Sequence, residues 1–328
     1  MESKGSSEVS GATSLGEGAI LLAAVAYGIS TTVSVAALDR VSPADLVAVE
    51  LIGAAVALVT IGVVRGSLNS EGWGRNFAFG ALMPGLAFVL GDLGLSRTSA
   101  SAGSLLLAAE LPVSVLLAEV FLRERLHGWG VAALVLGLVG SAVVALGDRG
   151  DGGRASTVGN LLVVASVTAA AVFLVLTRRF NRADGFTAST WQTVGAAVCT
   201  LPFVVGGWSQ HGSDLTRVGV EGWAYALCVL ASTAIGSVAF NWGISRVPAV
   251  RASQLLNLTP VVGLLAAIIF LAESPAVVQL VGGGLVLLAV TLLVRAVEGE
   301  GLSAQVDPAQ PAVPLADTRD LDSSDRAA

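Results

Sequence analysis

Charged residues are scarce in this chain, and lysine is almost absent. Only 13% of the 328 residues are charged and 54% are hydrophobic, whereas about a quarter of the residues of a soluble protein are charged. Lys4 is the single lysine. The chain therefore has no Walker A sequence for ATP hydrolysis and no lysine within an apolar segment that could form a Schiff base. The composition excludes a P-loop ATPase and indicates a membrane protein.

Cysteine and histidine are equally rare. Cys199 and Cys228 lie in apolar segments without a Cys-x-x-Cys pattern, and His127 and His211 lie in predicted loops. We therefore expect no disulfide framework, no metal site and no cofactor. The chain also lacks the Gly-x-Ser-x-Gly motif of serine hydrolases. These absences together predict that the protein is not an enzyme.

Long apolar segments occupy most of the chain. Runs of about 20 residues recur, which is the helix length that crosses a bilayer, whereas the alternating segments of roughly 10 residues that build a membrane β-barrel are absent. We predict an all-α polytopic membrane protein with ten transmembrane helices, at 15–37, 44–64, 76–95, 102–122, 129–147, 157–177, 186–206, 220–242, 249–271 and 275–296. Residues 1–14 and the acidic, proline-containing residues 297–328 are predicted to be disordered tails.

Two distant stretches of the chain have nearly the same sequence. Four residues of the first stretch recur 149 positions later in the second: Gly94 and Gly243, Arg97 and Arg246, Phe121 and Phe270, Glu124 and Glu273. A polar linker at 148–156 separates the two halves, 15–147 and 157–296. Because five spans is an odd number, the halves must lie in opposite orientations. The sequence thus predicts the inverted repeat found in many secondary carriers.

The basic residues predict the orientation in the membrane. With both termini in the cytoplasm, eleven Lys and Arg residues lie on the inner side and five on the outer side. This distribution follows the positive-inside rule, and the reverse orientation would violate it. We therefore predict a multi-pass protein of the cell (inner) membrane with cytoplasmic termini.

Acidic residues within the predicted spans are the main candidates for chemistry. Ionisable groups are costly in a bilayer and usually face a cavity or a partner, and a buried carboxyl group can take up and release protons during a transport cycle. We predict that Glu50 and Glu110, together with Asp92, couple transport to protons. A structural alternative stays open for two of them: Glu50 would pair with Arg97 or Arg40, and Asp92 with Arg97.

Glu110 lies two residues before Pro112. A proline within a helix lacks the N–H of the normal backbone hydrogen bond and bends the helix. We predict such kinks at Pro112 and at Pro260, and the first would form a cavity wall beside Glu110. The alternative for Glu110 is an interhelical hydrogen bond from its protonated form. Glu119, nine positions further along the same helix, lies on the opposite face, and an ion pair with Arg123 explains it.

The second half has amides where the first half has acids. By the repeat, Gln192 corresponds to Glu50 and Asn241 to Asp92. Amides cannot titrate but can hydrogen-bond a substrate, so we predict substrate contacts for both. The other candidates for substrate contact are polar or aromatic residues of the spans: Tyr27, Thr31, Trp191, Trp242 and Asn257. Polar residues at i, i+3, i+4 spacing form stripes, on the first span at Tyr27, Thr31 and Ser34 and on the eighth at Thr233, Ser237 and Asn241. The alternative for these polar stripes is helix packing, and for the tryptophans a position as ordinary membrane aromatics.

Short motifs in both halves resemble a known family. Each half contains x-Pro-Val, as Leu111-Pro112-Val113 and Thr259-Pro260-Val261, and then Leu-x-Glu, as Leu122-Arg123-Glu124 and Leu271-Ala272-Glu273. This pattern resembles the EamA-type group of the drug/metabolite transporter superfamily, although that group commonly has Gly before the Glu. The resemblance implies ten helices in two inverted repeats and alternating access around a central cavity. It also implies transport of small metabolites, amino acids or drugs, often driven by a proton gradient.

We therefore predict a secondary active transporter that exports a small organic compound in exchange for protons. Its expected partners are the substrate, the lipid bilayer and protons, with a homodimer as an option and no nucleic acid. One alternative is an uncoupled facilitator of the same fold. Another is a non-transporting membrane sensor or enzyme, but the spans contain no catalytic set and both tails are too short for a signalling domain.

Overall fold

The computed structural model describes residues 3–70, 72–122, 129–147, 156–180, 185–244, 246–247, 255–256 and 258–306. Regular structure in these ranges is entirely helical, as predicted. The helices used below, numbered α1 to α11 in chain order, are Ser3–Leu38, Pro43–Arg65, Trp73–Leu95, Ala100–Leu107, Glu110–Leu122, Trp129–Gly147, Thr157–Phe180, Gly185–His211, Val220–Ile244, Leu258–Phe270 and Val277–Val306.

Six helical segments in the described ranges are long and apolar enough to cross a membrane: Leu15–Leu38, Pro43–Arg65, Trp73–Leu95, Phe186–His211, Val220–Phe240 and Val277–Arg295. Four shorter apolar helical segments accompany them: Ala100–Ser114, Gly130–Leu146, Thr157–Phe173 and Leu258–Phe270. A helix satisfies its own backbone hydrogen bonds, which is the condition for spanning a bilayer. The chain is therefore a multi-pass helical membrane protein.

The first and last helices extend past the predicted spans. α1 begins at Ser3, and α11 continues to Val306, whereas 1–14 and 297–328 were predicted to be tails. Neither extension contains a proline, and the first one after α11 is Pro308. Without a proline, every residue of the two extensions keeps the N–H that a continuing helix needs.

Two helices of the first half are irregular within the apolar region. In α2, residues Ala48–Ile52 form a π-helical turn that contains Glu50. In α3, residues Ala81–Leu86 form a second π-helical stretch, and Met83 leaves the helical conformation with φ −140° and ψ 121°. Pro84 explains this break, because a proline lacks the N–H donor and disfavours the helical conformation of the residue before it. The sequence analysis did not predict this interruption.

The predicted span 102–122 is divided into two helices. α4 ends at Leu107 and α5 begins at Glu110, with a turn at residues 108–109. The Ala109 N–H donates to the Leu106 carbonyl at 3.0 Å, and Pro112 has no N–H to offer the carbonyl four residues earlier. The interruption places Glu110 at the first position of a helix. Pro260 likewise lies in the first turn of α10.

Helices of one half pack against helices of the other. α1 packs on α9 and α10, while α7 packs on α3, α4 and α5. Two of these crossings are very close at glycines: a Cβ added to Gly94 would lie 2.9 Å from the Gly159 carbonyl oxygen, and one added to Gly243 would lie 2.9 Å from the Gly16 carbonyl oxygen. Small residues permit such backbone contact in membranes, where dispersion and polar contacts hold helices together.

A third close crossing joins the last helices of the two halves. α6 packs along α11, and a Cβ added to Gly282 would lie 2.9 Å from the Gly140 carbonyl oxygen. The largest buried apolar cluster lies nearby and draws on helices of both halves, including Val35, Leu105, Leu106, Val144, Val163 and Ala267. Both halves thus contribute to this buried cluster.

The crossing of α3 and α8 offers a direct test of this packing. A Cβ on Gly80 would lie 2.7 Å from the carbonyl carbon and 2.9 Å from the Cα of Gln192, whereas a Cβ on Gly74 in the same helix meets nothing within 4 Å. We expect Gly80→Ala to lower the unfolding temperature of the detergent-purified protein. Gly74→Ala, the matched control, should leave that temperature unchanged or raise it, because Ala favours the helix by about 1 kcal/mol. Equal effects of the two variants would contradict the close approach.

Candidate functional site

Glu50 is buried between the two halves. It lies in the π-helical turn of α2 and is only 4% exposed. Its Oε1 accepts a hydrogen bond of 2.6 Å from the Thr233 hydroxyl on α9. The Ser30 hydroxyl on α1 lies 3.3 Å from the same Thr233 oxygen. One carboxyl group and two hydroxyl groups thus connect α1, α2 and α9.

Tyr27 lies one turn before Ser30 on α1. Its ring packs against α9 at Gly236, where a Cβ would lie 2.6 Å from a ring carbon. The Tyr27 hydroxyl donates to the Ser237 hydroxyl at 3.4 Å. Thr31 is buried, and its hydroxyl donates to the Tyr27 carbonyl at 3.2 Å within α1. Tyr27 therefore continues the Ser30–Thr233 contact along α1 and α9.

Asp92 lies on α3, which packs against α2, the helix that carries Glu50. It is 5% exposed, and within the described part of the chain its Oδ2 has no hydrogen-bond partner. Val47 and Leu51, on either side of Glu50 in α2, pack in one cluster with Phe88, which lies one turn before Asp92 on α3. The two buried acids therefore lie on neighbouring helices of the first half.

The pairing of these acids with arginine is not what the structure shows. Arg40 makes an ion pair of 3.0 Å with Glu221, and its guanidinium lies 4.9 Å from the centre of the Tyr225 ring. Arg97 is exposed and donates to the Leu93 carbonyl of its own helix at 2.7 Å. The alternative that Glu50 pairs with Arg97 or Arg40, and Asp92 with Arg97, is therefore wrong.

Glu110 lies on α5. It is half-buried at the first position of that helix, and its carbonyl accepts from the Ser114 hydroxyl at 2.6 Å. We use the name central polar cluster for the hydrogen-bonded residues described above and for the two further acids, that is, for Tyr27, Ser30, Glu50, Thr233 and Ser237 together with Asp92 and Glu110.

Trp191 and Gln192 lie at a different helix crossing. The Trp191 indole N–H donates to the Asn69 carbonyl at 2.8 Å, and its ring centre lies 6.1 Å from that of Trp73. The Gln192 amide donates to the side-chain oxygen of the buried Asn76 at 3.2 Å. These contacts join α8 to the start of α3 and the loop before it, and they do not involve the central polar cluster.

The remaining predicted residues are placed as follows. Trp242 is 42% exposed near the end of α9, where the Arg246 guanidinium stacks 3.9 Å from its ring centre. The side chains of Asn241 and Glu119 lie outside the described residues, as do Asn257, Arg123 and Glu124 altogether.

Glu273 has a structural contact of the kind expected for a helix terminus. Its carboxylate accepts hydrogen bonds from the Ala100 N–H at 2.9 Å, the Ser101 N–H at 2.8 Å and the Ser101 hydroxyl at 2.6 Å. It thereby satisfies free backbone donors at the start of α4, and its charge also suits the helix N-terminus.

Sequence reasoning missed the role of Asp45. This carboxylate is fully buried at the start of α2. It accepts from the Trp208 indole at 2.8 Å, the Ser213 hydroxyl at 2.7 Å, the Asp214 N–H at 3.0 Å and the Ser42 hydroxyl at 2.9 Å. These bonds hold the loop after α8 against α2. The pattern Ser42-Pro43-x-Asp45, typical of a capped helix start, was the available signal.

Sequence reasoning also missed Ser30 and the contact between Thr233 and Glu50. The spacing of Thr233 and Ser237 predicted a polar face on α9 but not which helix it meets. In the described ranges, no group of three or more His, Cys, Asp or Glu side chains is placed to hold a metal ion. The site therefore offers carboxyl and hydroxyl groups for hydrogen bonding and charge compensation.

The fold and this interior cluster define a multi-pass helical membrane protein with a polar centre, and comparison with known proteins supplies its family. The sequence model of the EamA-like transporter family matches residues 14–146 and 157–295. The chain therefore belongs to the EamA-like transporter family. It is a membrane transporter and not an enzyme, and its partners are small-molecule substrates and the lipid bilayer.

Individual relatives agree with this assignment. An "Uncharacterized transporter" of Archaeoglobus fulgidus is 27% identical over 67% of this chain and 76% of its own length. A "Probable terminal-alkyne amino-acid exporter" of Streptantibioticus cattleyicolor is 30% identical over 63% of this chain and 68% of its own length. A solved crystal structure shares the fold at 18% identity with a TM-score of 0.57, over 92% of this chain and 99% of that one.

Thr233→Val tests the contact between the halves. The change removes the hydroxyl that donates to Glu50 and leaves a side chain of similar shape. We expect the free energy of unfolding to fall by about 1–3 kcal/mol, the cost of leaving a buried polar group without its partner, as measured by thermal unfolding in detergent. Thr60→Val is the matched control, because the exposed Thr60 hydroxyl bonds only the Val56 carbonyl of its own helix. A loss no greater than in that control would contradict the assigned contact.

Asp45→Asn tests the second polar cluster. In the asparagine, an NH₂ group replaces Oδ2 and cannot accept the hydrogen bonds from the Asp214 N–H and the Ser42 hydroxyl. We therefore expect the free energy of unfolding to fall by about 2 kcal/mol. Glu221→Gln is the control, because its ion pair with Arg40 is exposed and such pairs contribute about 1 kcal/mol or less. The measurement is denaturation followed by tryptophan fluorescence. Equal stability of Asp45→Asn and the unaltered protein would show that these bonds contribute nothing.

Proposed function

We propose that this protein is a secondary active transporter of the cell membrane that exports a small organic compound in exchange for protons. The central polar cluster is the observation that carries the proposal. Glu50, Asp92 and Glu110 are carboxyl groups held where helices of both halves meet, and ionisable groups in such positions mark ion and substrate pathways. We assign proton binding to these acids and substrate contact to Tyr27 and its hydroxyl neighbours.

We further propose ten membrane-spanning helices in two inverted repeats, with both termini in the cytoplasm. Corresponding glycines support the repeat: Gly94 and Gly243 are related by 149 positions, and they meet Gly159 and Gly16, which are related by 143. The sequence model of the family matches the chain in two segments, 14–146 and 157–295, which agrees with a duplicated chain. The excess of basic residues on the predicted inner side supports the orientation.

Alternating access requires contacts that can open at either end of the bundle. At the end proposed to be outer, Asp45 holds the loop after α8 through several hydrogen bonds. At the opposite end of α2, the Trp191 indole holds the loop before α3 through the Asn69 carbonyl. We propose that these two contacts break in alternate halves of the transport cycle.

Export is the proposed direction, and its support is the name of one relative, the "Probable terminal-alkyne amino-acid exporter" of Streptantibioticus cattleyicolor. Trp191, Gln192 and Trp242 were predicted to contact substrate, but their neighbours favour a role in helix and loop packing. Asn241 and Asn257 stay in the proposal on sequence grounds alone, as the polar residues that the second half would contribute.

Transport by purified protein in liposomes tests the proposal. With an imposed pH gradient and a panel of amino acids, amines and aromatic metabolites, we expect at least one compound to accumulate against its own gradient. Glu50→Gln and Glu110→Gln should each abolish this accumulation, because an amide cannot carry a proton. The exposed Glu221→Gln should retain it. Transport that ignores the pH gradient would indicate an uncoupled facilitator, and transport of no compound would contradict the carrier assignment.

A further inference from the structure

A loop of the second half holds the start of a helix of the first half. The loop is 271–276, between α10 and α11, and its Glu273 carboxylate accepts the Ala100 and Ser101 N–H groups and the Ser101 hydroxyl. We call these three residues the Glu273 clasp. The first turn of a helix has backbone donors without a partner in the helix, and at α4 two of them are satisfied from the other half of the chain.

The loop pays for this contact with a strained residue. Ala272, directly before Glu273, has φ 51°, and in the described part of the chain it is the one residue other than glycine with a positive φ. The left-handed conformation brings Cβ close to the following carbonyl oxygen, so glycine adopts it far more readily than alanine. Such strain persists only where the surrounding contacts hold it. The hydrogen bonds of Glu273 are contacts of this kind.

A buried hydroxyl group one turn below the clasp has no partner. Ser104 on α4 is 2% exposed, and within the described residues its Oγ makes no hydrogen bond. It faces α10, because a Cβ added to Gly263 would lie 2.9 Å from the Ser104 Cβ. Leu105 and Ala267 pack in one apolar cluster with Leu271 at this helix pair. A buried hydroxyl group without a partner costs free energy, and water between α4 and α10 would remove that cost.

The clasp lies at the same end of the bundle as Asp45. The start of α2, Pro43–Val47, packs on the last part of α3, Ala87–Leu95, and α4 begins at Ala100, directly after α3. This is the end proposed to be outer. The clasp therefore lies where a transporter must open toward the outer side.

We propose that the loop 271–276 is a releasable gate, whose Glu273 clasp breaks when α4 and α10 separate to open the outer end. This inference rests on the proposed function, because it assigns one step of alternating access to a named contact. The clasp favours the closed arrangement, whereas the strain at Ala272 and the unpartnered Ser104 hydroxyl favour the open one. Water can replace the carboxylate at the end of α4. The opposing contributions make the contact reversible.

Thiol labelling of the detergent-purified full chain tests the gate. Ser104→Cys is the reporter, in a chain whose own thiols are removed by Cys199→Ala and Cys228→Ala. A water-soluble maleimide reacts with the reporter only when α4 and α10 separate. We expect Glu273→Gln to raise the labelling rate about tenfold, because glutamine has one acceptor oxygen and no charge and so loses at least one charge-assisted hydrogen bond. An unchanged rate would overturn the proposal.

A second variant should shift the same reporter in the opposite direction. Ala272→Gly relieves the strain that only the closed arrangement imposes, so we expect the labelling rate of Ser104→Cys to fall about fivefold. Ser274→Gly is the matched control, since Ser274 is exposed in the same loop and has no positive φ. That control should leave the rate unchanged. A fall no larger than in the control would show that the strain does not bias the gate and would overturn the proposal.

A reporter at the opposite end separates a gate from a merely structural cap. Thr190→Cys lies on α8 beside Trp191, at a position that is 0% exposed. Glu273→Gln should leave its labelling rate unchanged or lower it. If the variant instead speeds labelling of Thr190→Cys as much as that of Ser104→Cys, the clasp only stabilises the whole bundle, and the proposal is overturned.

Two provisions keep the result decisive. If Ser104→Cys fails to fold, as judged by gel filtration, Ala102→Cys replaces it, because Ala102 is 0% exposed in the same apolar cluster. Labelling needs neither substrate nor gradient. Its failure therefore leaves the transporter and the Asp45 contact standing, and a failure of coupled transport in liposomes leaves the labelling result standing.

Discussion

A carboxyl group inside a helical bundle needs a donor or a counter-charge, and at Glu50 this requirement is met across the two halves of the molecule. The Thr233 hydroxyl comes from α9, and Ser30 on α1 lies beside it. These helices belong to different halves, so their relative position determines the environment of the acid. Any movement of one half against the other would change how well Glu50 is satisfied. This contact links the chemistry of the interior to the arrangement of the whole bundle.

The contact depends on how closely the helices approach. Gly236 lets the Tyr27 ring lie against α9, and Gly16 and Gly243 bring the two backbones together toward one end of the same crossing. The interruptions of α2 at Ala48–Ile52 and of α3 at Pro84 lie in the apolar region. Irregular backbone is tolerated at membrane depth only where protein or a cavity surrounds it. Close packing and local irregularity thus occur together around the acids.

Several predicted features agree with the structure because they depend on local properties. The apolar segments became helices. The acids Glu50 and Asp92 are buried, as their position within apolar segments indicated. The alternative that paired these acids with arginine was wrong, because Arg97 and Arg40 are near them in the chain or in the predicted topology but bond other groups in the packed bundle. Trp191 and Gln192 were correctly assigned to an apolar helix, but that helix presents them to the start of α3.

By itself, the sequence determined the helical membrane class and the family, since each depends on composition or on short motifs, and it revealed the duplication through the likeness of its two halves. It also determined which helix face is polar, because residues three or four positions apart share a face. The tertiary structure alone decided which faces meet. Glu50 and Thr233 are 183 positions apart, and only the crossing of α2, α1 and α9 makes them neighbours. Helix crossings depend on small residues and interruptions in several segments at once, which no local pattern specifies.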